Sequence, residues 1–138
     1  MRTRIATVGL WVALGLLSVG CAGLNERVLD SKTETLRARS IQTRVFDTVD
    51  RERTLRDVIA TLADLDFWVE KADATLGVVK GSKSGVTLTV TVASRGRTQV
   101  VVRANAQRGM SPVEDPEAYQ RFFAALEKAM FLTAHQID

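Results

Sequence analysis

Seven residues, Val86-Thr87-Leu88-Thr89-Val90-Thr91-Val92, alternate branched apolar and threonine side chains without a break. A period of two belongs to a β-strand, where successive side chains point to opposite faces. Val86, Leu88, Val90 and Val92 therefore share one face, and Thr87, Thr89 and Thr91 the other. Such a strand needs a sheet with one buried side and one open side, which is the signature of antiparallel pairing. Thr98 to Asn105 repeats the pattern and is the predicted partner. Pairing Val92 with Val100, Val90 with Val102 and Leu88 with Ala104 keeps apolar rows together. It leaves Arg95-Gly96-Arg97 as a three-residue loop, Ser94 opposite Thr98, and Arg103 opposite Thr89.

The remaining elements follow from the same periodicities. Ile41 to Phe46 alternates and reads as a strand. Leu55, Val58, Ile59, Leu62 and Leu65 have helical spacing, so residues 51–65 form an amphipathic helix after a turn at Asp47 to Asp50. Thr54 and Asp57 offer an alternative capping pair. Short strands are expected at Phe67 to Lys71 and Leu76 to Lys80, joined by Ala72-Asp73-Ala74. The run Gly81-Ser82-Lys83-Ser84-Gly85 reads as a hairpin loop. A second helix begins with Asp115 as N-cap, Pro116 at the first position and Glu117 in the first turn. Ser111-Pro112 with Glu114 offers an earlier start. Tyr119, Phe122, Phe123, Leu126 and Met130 form the buried stripe, and the helix fades near Thr133. The expected fold is α+β in two layers: an antiparallel β-sheet with two amphipathic helices on one face, in the order β-α-β-β-β-β-α.

The chain opens differently. Met1-Arg2-Thr3-Arg4 is basic, Ile5 to Val19 carries no charge, and Gly20-Cys21-Ala22-Gly23 follows. A basic start, an apolar run and a small-residue cleavage site make a secretory signal peptide. Leu17-Ser18-Val19-Gly20-Cys21 resembles the lipobox of bacterial lipoproteins, although the leucine usual three places before the cysteine is Ser18 here. The resemblance implies cleavage between Gly20 and Cys21. It also implies a diacylglyceryl group on the Cys21 thiol and an acyl chain on its amine, with no other cofactor. The rival reading is an uncleaved anchor, because the uncharged run from Ile5 to Leu24 reaches the ~20 residues that span a bilayer. In this lipoprotein family an Asp directly after the cysteine retains the protein at the inner membrane. Ala22 stands there, which resembles the pattern sent to the outer membrane, facing the periplasm.

The resulting organisation is a signal peptide at 1–20, a lipidated cysteine and tether at 21–40, and one α+β domain at 41–138. The tether is polar and as a coil would span ~25 Å, with a short helix at Val28 to Ala38 as the alternative. The lipobox, the element order and the size together resemble the small helix-grip domains of the C-component lipoprotein of the outer-membrane barrel-assembly machinery. That resemblance carries over no site residue.

Charge excludes one class of partner. The chain has 19 basic and 16 acidic residues, a formal net +3. Arg2 and Arg4 leave with the signal, and residues 41–138 hold 13 of each sign. A neutral domain lacks the basic excess that binds phosphate backbones, so nucleic acid is not an expected partner. Cys21 is the sole cysteine. An exported domain without an internal disulfide must stand on its core, and about 100 residues are enough for one.

Catalytic equipment is sparse. His135 is the only histidine and lies near the end. One histidine and one lipidated cysteine do not supply a zinc site, which takes about four ligands. Asp64 with Asp66, Asp47 with Asp50, and Glu114-Asp115-Glu117 all sit at helix ends, where acids cap. The expectation is a non-catalytic, membrane-anchored envelope lipoprotein that serves as an interaction subunit in envelope assembly or transport. Its partner face would be Trp68, Thr87, Thr89, Thr91 and Arg103. Phe67 and Trp68 point opposite ways, so a buried Phe67 leaves Trp68 either on the open face or beneath the tether. Lys80 and Lys83, with Arg103 toward the same end, are a candidate basic cluster for an acidic partner or lipid headgroup. Two alternatives remain: a periplasmic carrier of lipid or another small ligand, which needs a groove between helices and sheet, and an enzyme acting on envelope polymers, which needs paired carboxylates in a cleft.

Overall fold

A computed structural model describes the backbone of residues 22–135 and the side chains of residues 31–131. The expected signal segment, cleavage junction at Gly20–Cys21 and lipidation site at Cys21 lie outside the described residues. The chain divides into two units, residues 1–35 and 36–138. Helix α1 (Ala22–Ile41) begins in the first. Residues 22–40, expected as a coiled tether, are thus helical. They contain no proline, their only glycine is Gly23, and Ala, Leu, Glu, Lys and Arg dominate them, so local propensity favours a helix without any apolar stripe.

The second unit is the two-layer α+β fold. After α1 come β1 (Thr43–Phe46), α2 (Arg51–Asp64), β2 (Trp68–Asp73), β3 (Val78–Lys83), β4 (Val86–Arg95), β5 (Gln99–Arg108), β6 (Ser111–Pro112) and α3 (Pro116–His135). All strand pairs are antiparallel, in the order β1-β5-β4-β3-β2, with β6 on the same edge of β5 as β1. Ser111-Pro112 is therefore strand, and the early helix start is not used. Leu55, Val58 and Leu62 of α2 and Tyr119, Phe122, Phe123 and Leu126 of α3 are buried against Val79, Leu88, Val90, Val92, Val100 and Val102. Both helices cover the valine face, and the threonine face carries Thr87, Thr89 and Thr91 half-exposed.

The β4–β5 register differs from the expected one by two residues. Val92 meets Val102, Val90 meets Ala104, Leu88 meets Ala106, and Arg103 lies opposite Thr91. The loop is Gly96-Arg97-Thr98, between the pair Arg95 and Gln99, and Ser94 faces Val100. A shift of two preserves every face, so alternation could not detect it. The observed register pairs all ten residues of each strand.

The β3–β4 turn is also tighter than expected. Ser84 (φ 50°) and Gly85 (φ 77°) make a two-residue loop, as positive φ at both central residues requires in a type I′ turn. Gly81 to Lys83 belong to β3. Gly81 is buried beneath α2: a Cβ there would lie 3.4 Å from the Phe67 Cβ and 3.6 Å from the Leu62 Cδ1. Its role is close approach, not a turn. The β2–β3 turn moves to Ala74 to Gly77, where Asp73 Oδ1 accepts from the Leu76 N–H at 2.9 Å.

The end of α2 decides where Phe67 and Trp68 point. The Phe67 N–H donates to the Leu62 carbonyl (2.8 Å) and the Asp66 N–H to the Ala63 carbonyl (2.9 Å), with Asp66 at φ 62°. This is a Schellman motif, whose hydrophobic contact is Leu62 with Phe67. Phe67 packs on the core, so Trp68 turns to the open face. The helix starts are simpler. Asp50 Oδ1 accepts from the Arg53 N–H (2.8 Å) and Asp115 Oδ1 from the Glu117 N–H (3.0 Å). Asp50, not the Thr54–Asp57 pair, caps α2.

Candidate functional site

Two surfaces of the 36–138 unit are candidates for a site. The first is the open sheet face. Cross-strand register aligns Trp68, Ser82, Thr87 and Gln107 in one row, Lys80, Thr89 and Asn105 in the next, and Val78, Thr91, Arg103 and Thr43 in a third. Trp68 is 77% exposed. Thr87, Thr89, Thr91, Arg103 and Trp68 therefore share one face, with the threonines as a central stripe. Trp68 and Arg103 stand at opposite corners. Three strand spacings and four residues separate them, a diagonal of ~20 Å. A footprint of ~800 Å² per partner covers that distance.

Lys80 lies on the same face but is engaged. Its Nζ bridges Glu70 Oε2 at 3.0 Å. Glu70 titrates below the usual carboxylate range, because the Ser82 and Lys80 side chains hydrogen-bond to its charged form. Lys83 pairs with Val86, which puts it on the opposite face. Its Nζ donates to the Leu65 carbonyl (2.8 Å) and approaches Asp66 Oδ2 at 3.3 Å. The expected cluster of Lys80, Lys83 and Arg103 does not form, since odd spacing in a strand splits the two lysines between faces.

The second surface is a groove of about 390 Å³ on the helical side, within the ~300–1,000 Å³ usual for small-molecule sites. It runs between the start of α3, the end of α2 and the β3–β4 turn. Leu65, Phe67, Val86, Leu88, Val113 and Phe122 supply apolar walls. The space exists because the row Gly81, Leu88, Ala106 is small on both sides of the leucine, and because α3 presents Ala118 above it. Lys83 and Arg108 flank Val86 in the adjoining row, and Arg121 reaches the rim from α3. Arg108 and Arg121 form no ion pair among the described residues. One acid, Asp115, is among the lining residues, and it caps α3; Asp66 is taken up by Lys83. The sequence pattern did not single out Arg108 or Arg121. Arg108 lies beyond the predicted end of β5, and only the true register brings it beside Val86.

The candidate carboxylates take structural roles or stay apart. Asp50 and Asp115 cap helices, Asp66 pairs with Lys83, and Asp47 Oδ1 accepts from Gln99 Nε2 at 2.7 Å. Among the described residues, no three His, Cys, Asp or Glu side chains are grouped to hold a metal ion, and no helix is long and apolar enough to cross a membrane. The His135 side chain lies outside the described residues. No protein-family model matches the chain, and no curated protein matches it.

Proposed function

We propose that this protein is a non-catalytic envelope lipoprotein, anchored through acyl chains on Cys21 at the outer membrane and facing the periplasm. There it docks a partner protein of the envelope through its open sheet face, as an accessory subunit in assembly or transport. The observation that carries the docking reading is Trp68, 77% exposed on the sheet face opposite the helices, in line with the threonine stripe. A large aromatic held rigidly at an interface concentrates binding energy, and tryptophan is enriched among such anchors. Three chains on one cysteine exceed the two membrane signals that stable anchoring takes.

Crosslinking in intact cells tests the docking face. A discrete crosslinked species is expected for the native chain and is lost with Trp68→Ala combined with Arg103→Glu. The same species at the same yield with both substitutions would sink the face. Cys21→Ser tests the anchor separately: it should abolish lipid labelling and release the protein from the membrane fraction. A membrane-bound Cys21→Ser protein would overturn the lipoprotein reading.

A further inference from the structure

The geometry points to a second binding site: the groove on the helical side receives a single-chain amphiphile with an anionic head. Its acyl chain lies along Phe67, Leu88 and Phe122, and its head meets Arg108 and Arg121. This site is independent of the docking role, since it uses the opposite face of the sheet.

Three features select this ligand chemistry. The first is the carbon surface. Leu65, Phe67, Val86 and Val113 are each only half-buried while lining the groove, so a guest chain removes apolar surface from water, at ~25 cal/mol per Å². The second is charge. The lining holds three cations and one carboxylate, Asp115, which is occupied by the α3 cap; a second carboxylate, Asp66, holds Lys83 together with the Leu65 carbonyl. Arg108 and Arg121 remain without an ion pair among the described residues. An arginine fork suits a carboxylate or a phosphate.

The third feature argues against a peptide guest. A peptide brings amide groups that need partners when buried. The hydroxyl of Tyr119, a buried lining residue, already donates to the Val113 carbonyl (2.7 Å) and accepts from the Ala106 N–H (3.1 Å) and Gln42 Nε2 (3.3 Å). The buried side-chain atoms without partners among the described residues are Thr43 Oγ1 and Arg53 NH2, and neither lines the groove. An acyl chain makes no such demand.

Photolabelling tests the site. The full chain, in non-ionic detergent micelles, is irradiated with a diazirine-bearing dodecanoic acid and mapped by mass spectrometry. Label should concentrate on residues 83–88 and 115–122. It should fall roughly tenfold with Arg108→Glu combined with Arg121→Glu, the loss expected for removing charge-assisted contacts. Ala118→Trp, which fills the groove and keeps the rim charges, should also abolish it, with thermal unfolding confirming that both variants fold. Dodecanoate and lauroyl lysophosphatidylglycerol compete, and whichever acts at lower concentration identifies a carboxylate or a phosphate head. Trp68→Ala should leave the labelling unchanged, which separates this site from the docking face. Label spread evenly over the chain, labelling unaffected by the double charge reversal, or dodecanol competing as well as dodecanoate would each overturn the proposal.

Discussion

Replacing Tyr119 with Phe removes one oxygen atom, and the structure makes that a costly change. Edge strands β1 and β6 both pair with β5, but they leave a gap between them. Gln42 supplies the carbonyl that receives the Ala104 N–H, and Val113 donates its N–H to the Ala106 carbonyl. The Ala106 N–H falls in the gap and donates to the Tyr119 hydroxyl at 3.1 Å, which in turn donates to the Val113 carbonyl at 2.7 Å. The side chain of α3 thus completes a sheet ladder. Tyr119 is 1% exposed, so its loss leaves the Ala106 N–H buried without its partner. An orphaned buried donor costs ~1–3 kcal/mol, and a value near 2 kcal/mol is expected. In a domain of this size each kcal/mol lowers Tm by about 4–8 °C. Urea unfolding of the full chain gives the free energy, and amide hydrogen exchange should show Ala106 losing protection more than Val100 or Val102. A loss below ~0.5 kcal/mol, the lower end of a hydrogen bond's net worth, together with unchanged exchange at Ala106, would refute this reasoning.

Three further substitutions probe other parts of the fold. Gly77→Ala should destabilise by more than ~1 kcal/mol in urea unfolding, because Gly77 has φ 69° and a Cβ there would collide with the Val92 carbonyl and the Arg51 guanidinium. Asp50→Ala should cost ~1 kcal/mol by removing the α2 cap, while Asp50→Asn should retain most of that stability. Glu70→Gln tests the ion pair with Lys80: the folded carboxyl titrates below its ordinary value, so its stabilisation is present above the unfolded pKa and is lost as pH falls through the folded one. The difference from the native chain should therefore be small at neutral pH and vanish in strong acid.

Much of the architecture was legible because periodicity is a local property. Val86 to Val92 announced its two faces, the stripe from Tyr119 to Leu126 announced α3, and Asp115-Pro116 marked its start. The errors share a cause. A two-residue slip of β5 leaves every apolar residue on its proper face, so the pattern offered no means to choose. Gly81 and Gly85 look alike in sequence, yet one admits α2 and the other turns a hairpin. Lys80 and Lys83 are close in the chain, and only the extension of β3 through Lys83 sends them to opposite faces.

The sequence by itself determined the two-layer class and the two faces of the sheet, because side-chain order sets periodicity without reference to distant residues. Only the tertiary structure decided the β4–β5 register, the Tyr119 bridge across the edge-strand gap, and the groove with Arg108 and Arg121 at its rim. Each of these joins residues that are far apart in the chain, and their meeting depends on packing between layers, which no local pattern encodes.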